Sequence, residues 1–362
     1  MINVVSDDKI TEFRDLVNSN SSFVYQTYKD KNGKNLFNLV CSCMDWITVS
    51  IRHLENVPDF DKNIDTRVMQ MFTLISSIDL ISESITQLHR VFINPQTIPF
   101  TGEKKCFANR LFADEDDNSY FKTVRACFGA HPVNLNQSNT KRFASWPFDS
   151  HSNTAELTVH LYSSNINDED LPLNLNRNEL LEFLTTRYDY LDVIADKIES
   201  LFIEYQKNLS KQLIESKFDP LEQLYVLKAE SVKRLDNDYY NGEIDDLIMI
   251  FEAEVTDPDL MPIADSYKDS LIPLIDEIKT NLQSMNIVDL ENDCELRIRS
   301  DLSRELSYEL GKFYSWIHGD RYDPLLHYYL ERFNALTGGK FNFTNTDEIN
   351  LTFLKAKLML AE

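Results

Sequence analysis

The chain has 362 residues, 43% of them hydrophobic, with only 8 Gly and 11 Pro. That composition is globular and poor in turn formers, and it points to one large or two ordinary domains of long helices with short connections. The formal net charge of −23, from 59 acidic and 36 basic residues, repels phosphate backbones and excludes broad binding to DNA; RNA is admitted only at a locally basic pocket.

The opening Met1–Asp8 has neither a positive region nor an apolar core, so no secretory leader is expected there. No apolar run reaches the ~20 residues that cross a bilayer. A cytoplasmic protein without membrane contact is the expectation. The five cysteines, Cys41, Cys43, Cys106, Cys127 and Cys294, have no metal-ligand spacing. On a helix Cys41 and Cys43 point about 200° apart. They read as reduced thiols that serve as small core residues, with no metal and no cofactor.

In chain order, a first helix is predicted over about 7–17, with Ser6 or Asp7 as its cap and Ile10, Phe13 and Leu16 as its apolar stripe. After the turn at Asn32-Gly33 comes a strongly patterned helix over about 34–54, in which Leu36, Val40, Cys43 and Ile47 share a face. A third helix covers about 64–92, and His53 and His89 near the ends of these two carry no ligand role. Residues 93–117 form an irregular connection that ends in Asp114-Glu-Asp-Asp117. That acidic run reads as a solvated turn whose carboxylates cap the next helix.

The next helix is short. Gly129 favours the left-handed conformation that closes a helix, and Pro132 pushes His131 out of the α region. His131 is therefore expected just past the end of a helix that carries Arg125. Residues 142–148 and 156–162 alternate like strands, and a small two-stranded β-hairpin insertion over about 142–162 is predicted, with its loop at 149–154. The longest helix, about 179–215, keeps a heptad-like seam through Leu184, Tyr188, Leu191, Ile198 and Leu209. It would run on the order of 50 Å and serve as the spine of a bundle or a dimer interface. Phe218-Asp-Pro220 breaks it and marks the predicted boundary between a domain over 1–218 and a helical C-terminal domain over 219–362. In the latter, helices are predicted over about 221–236, 244–254, 266–284, 290–317, 324–336 and 347–361.

Glycine-rich phosphate loops, G-x-S-x-G and H-E-x-x-H are absent from the sequence. What remains is Arg125, five residues, then His131, set between long amphipathic helices. This stretch, with Ala130-His131-Pro132 at its end, resembles the HEPN superfamily of helical bundles, whose motif is Arg, four to six residues, then His, at a helix end. The resemblance covers about residues 1–218. Ala126 stands where that family often carries Asn, Asp or His. A second match, Arg321 to His327, holds Pro324 within its spacing and ranks below the first.

The resemblance implies metal-independent RNA cleavage of a defence or toxin type across a homodimer, with Arg125 and His131 as catalytic residues. The chemistry suits the pair. Histidine supplies an acid or base near neutral pH, and arginine supplies a fixed fork of donors for a charged phosphoryl group. A six-residue offset sets the two about 120° apart on an ideal helix, so convergence needs a break in the helix or a second subunit. The alternative is a non-catalytic helical interaction or scaffold protein, acting through its long helix and acidic surface. In that case Arg125 pairs with the acidic run at 114–117 and His131 caps a helix end. The expected fold class is the same under both readings: mainly α, a helical bundle with a small β-hairpin insertion, plus a second helical domain.

Overall fold

The computed structural model describes residues 5–55, 59–108, 110–111, 114–130, 135–137, 140–146, 155–234, 237–286, 288–296, 302–319 and 323–361. The chain divides into two units, Met1–Ile203 and Glu204–Glu362.

The first unit begins with α1 (Asp8–Ser19), α2 (Ser21–Tyr28), α3 (Leu36–Glu55) and α4 (Ile64–Phe92). Asp7 occupies the N-cap of α1 without a side-chain capping bond, and Ser6 Oγ, one residue earlier, accepts the Asp8 N–H at 3.1 Å. Asn63 caps α4 by accepting the Thr66 N–H. The stripes seen in the sequence are the buried faces: Val40, Ile47 and Ile51 on α3 and Met71, Ile75, Ile78 and Ile85 on α4 are all buried, and these two helices pack on each other. Among the described residues α4 alone is long and apolar enough to cross a membrane, and half of that stretch is buried inside the fold.

α5 (Asp117–Arg125) follows, and Ala126–Ala130 continue it as a π-helical turn. Gly129, the expected stop, lies inside this turn, which widens from Ala126, and is not itself the stop; the described stretch ends one position later, at Ala130. Such turns re-aim the side chains on either side of them. The β insertion is real, but it has four strands rather than two. β1 (Leu135–Gln137), β2 (Thr140–Ser145), β3 (Leu157–Ser163) and β4 (Leu171–Leu175) pair antiparallel in that order. The expected pair is β2 with β3, in the register Phe143 to Tyr162 and Ser145 to His160. β4 adds Leu175, Leu173 and Leu171 opposite Leu157, Val159 and Leu161. β3 lies against α4, so the sheet is anchored on helices, as a marginal hairpin requires. The loop expected at 149–154 lies outside the described residues.

α6 (Arg177–Ser210) begins in the first unit and ends in the second. Leu180, Leu184, Tyr188, Leu191, Ile194 and Ile198 are buried, so the heptad-like seam is consumed by the core of this chain.

The second unit contains α7 (Pro220–Arg234), α8 (Asp238–Glu252), α9 (Met261–Ser270), α10 (Ile272–Ser284), α11 (Arg304–His318), α12 (Leu326–Leu336) and α13 (Ile349–Ala361). The helix expected over 266–284 is two, because Pro273 sits in the first turn of α10 and has no N–H to continue a ladder. The helix expected over 290–317 begins only at Arg304, where Ser303 caps it by accepting the Leu306 N–H. Phe313, Phe333 and Phe343 form an aromatic chain in the core, each step at 5.5 Å between centroids. Buried Arg234 holds the unit's helix ends. Its guanidinium donates to the carbonyls of Leu209, Gln212 and Leu282 and to Glu230.

Candidate functional site

Arg125 is the last residue of α5, and His131 lies outside the described residues. Arg125 Nε stands 3.0 Å from Asp79 Oδ2, and the two side chains are 54% and 23% exposed. The partner expected for Arg125 in the non-catalytic alternative, the acidic run at 114–117, is therefore corrected to Asp79 on α4. Nothing in the spacing signals this, since Asp79 lies in an apolar run, Ile75-Ser-Ser-Ile-Asp79-Leu-Ile. A lone acid inside such a run is the signal that would have found it. Burial raises the Asp79 carboxyl above its ordinary value. Arg125 and Lys122 oppose that rise, and Glu83, one turn along α4, adds to it.

Beside this pair a narrow cleft opens between α4 and α5. Asp79, Glu83, Thr86 and Arg90 line it from α4, Asn118 and Lys122 from α5, and Phe183 from α6. With Arg125 at its rim, three cations meet two carboxylates, a local balance opposite to that of the whole chain.

The acidic run builds the frame for α5. Asp116 is the N-cap, accepting the Ser119 N–H at 2.8 Å and the Gly102 N–H at 2.8 Å. Glu115 accepts from Thr123 at 3.1 Å. Asp117 is not solvated, as the sequence reading has it, but 1% exposed. It accepts the Lys105 and Cys106 N–H groups at 2.7 and 3.1 Å and pairs with Arg110. These bonds fold the connection after α4 onto the start of α5. The same connection is held to α4 by buried His89, whose ring nitrogens meet Tyr190 Oη at 3.0 Å and Thr97 Oγ1 at 2.7 Å. Phe100 adopts a left-handed backbone, φ 62°, and its ring covers Arg187 at 4.6 Å.

Arg187 is the buried cation that sequence reading missed. It is 2% exposed and lies over the Phe183 ring at 3.6 Å. It donates to Asn118 Oδ1 at 2.9 Å, and its Nε has no partner among the described residues. It sits one residue before Tyr188 of the heptad-like seam, where a charged residue reads as a solvated flank.

The π turn after Arg125 packs on α4 and β2. Cys127 within it is buried, its thiol pushed up to about 12 by desolvation, and Phe128 meets Trp146 at 6.0 Å. The five cysteines are free thiols, and among the described residues no group of three or more His, Cys, Asp or Glu could hold a metal. Of the second motif match, Arg321 lies outside the described residues. His327 is an exposed helix residue paired with Glu331 at 3.0 Å.

Neither a protein-family model, nor a curated protein, nor a solved structure matches the chain.

Proposed function

We propose that the chain is a HEPN-like cytoplasmic protein that cleaves RNA without a metal ion, as a homodimer. Arg125 holds the scissile phosphate and His131 acts as general acid or base. The observation that carries this reading is the setting of Arg125. It ends α5 half-exposed at the rim of a cleft that also holds Lys122 and Arg90, and only its Nε is engaged, by Asp79. Among the described residues Nη1 and Nη2 have no partner, which leaves the two-pronged end of the guanidinium for a phosphodiester. Incubation of the full chain with RNA in EDTA tests the reading. Wild type cleaves, and Arg125→Ala and His131→Ala do not.

A second reading has its own observation. Asp79 and Glu83 stand beside Arg125, and the chain as a whole carries a charge of −23, both of which oppose a polyanion. In a helical interaction protein the Asp79–Arg125 pair would only tie α5 to α4. Wild type that leaves RNA intact at every pH tried selects that reading.

A further inference from the structure

We infer that Asp79 is the positioning residue of Arg125: its carboxylate fixes the guanidinium through Nε and so aims Nη1 and Nη2 at a phosphate. The inference rests on the RNA-cleavage reading above and adds a residue to it. An arginine on the last turn of a helix has several free torsions, and a half-exposed one samples many rotamers unless something holds it. Asp79 can hold it because its own place is set by packing. It lies in the middle of α4, between Ile78 and Ile81, both fully buried. Contact through Nε at 3.0 Å takes the side of the guanidinium and leaves its fork, which is the arrangement a phosphate needs.

The groups that face Asp79 are Arg125 and Lys122 from α5 and Glu83 from α4. The π turn packed on α4, Ala-Cys-Phe-Gly-Ala, brings no charged side chain. Lys122 and Arg125, three residues apart on one helical face, both favour the ionised form of Asp79, and Arg125 alone touches it. Protonation of Asp79 releases Arg125, and burial brings that event to a higher pH than for an ordinary carboxyl.

The test compares the full-length wild type with Asp79→Asn, Asp79→Glu, Arg125→Ala and, as an exposed acid on α6 outside the site, Asp196→Asn. Helical content is checked by circular dichroism and cleavage of a labelled single-stranded RNA is followed. Asp79→Asn keeps its helicity and lowers kcat about a hundredfold, the scale of a reacting group misplaced by about 1 Å, with KM changed far less. Asp79→Glu recovers part of the rate, Asp196→Asn behaves as wild type, and the acid limb of the wild-type pH profile is absent in Asp79→Asn. Active wild type with inactive Arg125→Ala and with Asp79→Asn within twofold of wild type overturns the role of Asp79 alone. Wild type that does not cleave removes the nuclease reading, and this inference falls with it.

Discussion

Replacing Asp117 by alanine should cost the first unit about 4 kcal/mol. The carboxylate is buried and accepts two backbone N–H groups and the Arg110 guanidinium. Hydrogen bonds to a charged acceptor contribute about 1.5–3 kcal/mol each, and these do not add fully, because desolvation of the carboxylate offsets part of the gain. Removing one member of a buried pair costs about 3–5 kcal/mol, since the other charge stays behind. At 2–4 °C per kcal/mol for a unit of this size, the midpoint should fall by about 10 °C. The readout is thermal unfolding followed at two probes, because two units need not melt together. Desolvation works against ionisation of Asp117, yet the Lys105, Cys106 and Arg110 bonds prevail and hold its carboxyl below its ordinary 3.8. Its contribution is therefore complete above that value and is lost as pH falls through the lowered native one. A loss under about 1 kcal/mol, or the same loss at pH 3 as at pH 7, would refute the assignment of Asp117 as the anchor of α5.

Other outcomes follow from the same structure. Arg234→Ala removes a fully buried guanidinium that donates to four acceptors in the second unit and should destabilise it by about 3 kcal/mol in urea titration. Lys355→Ala leaves Asp347, now 2.6 Å from Nζ, without its buried partner, at a cost of about 3–5 kcal/mol by the same measurement. Ile78→Ala opens a cavity at a fully buried position of α4 and should cost the first unit about 2–5 kcal/mol. Arg125→Ala, by contrast, removes a half-exposed ion pair and should change stability by less than about 1 kcal/mol, so a loss of cleavage in that variant cannot be assigned to unfolding.

Much of the helical skeleton was legible in the sequence. The predicted span 64–92 coincides with α4 because Asn63 caps it and its apolar stripe runs unbroken to Phe92. The β2–β3 pair was legible from alternation. β1 was not, because three residues are too few to alternate visibly. In β4, Pro172 and the short run Leu-Pro-Leu-Asn-Leu hide a strand whose partners lie 10 to 18 residues away in sequence. The split at Pro273 could have been read from the residue itself, whereas the late start of α11 depends on a capping bond at Ser303 that other serines in the sequence imitate. At the candidate site, the position of Arg125 at the end of a short helix was legible. Its partner was not legible from spacing, and only the lone acid in the apolar run of α4 hinted at it. The widening from Ala126 also escaped, because a glycine that permits a left-handed stop equally permits a π turn.

Cleavage of single-stranded RNA by the purified full chain in EDTA tests the central claim most directly, with Arg125→Ala and His131→Ala alongside. Cut RNA with wild type, and intact RNA with both variants at unchanged helicity, is the predicted result. Intact RNA with wild type across pH 5–9, or equal cleavage by all three proteins, would contradict it.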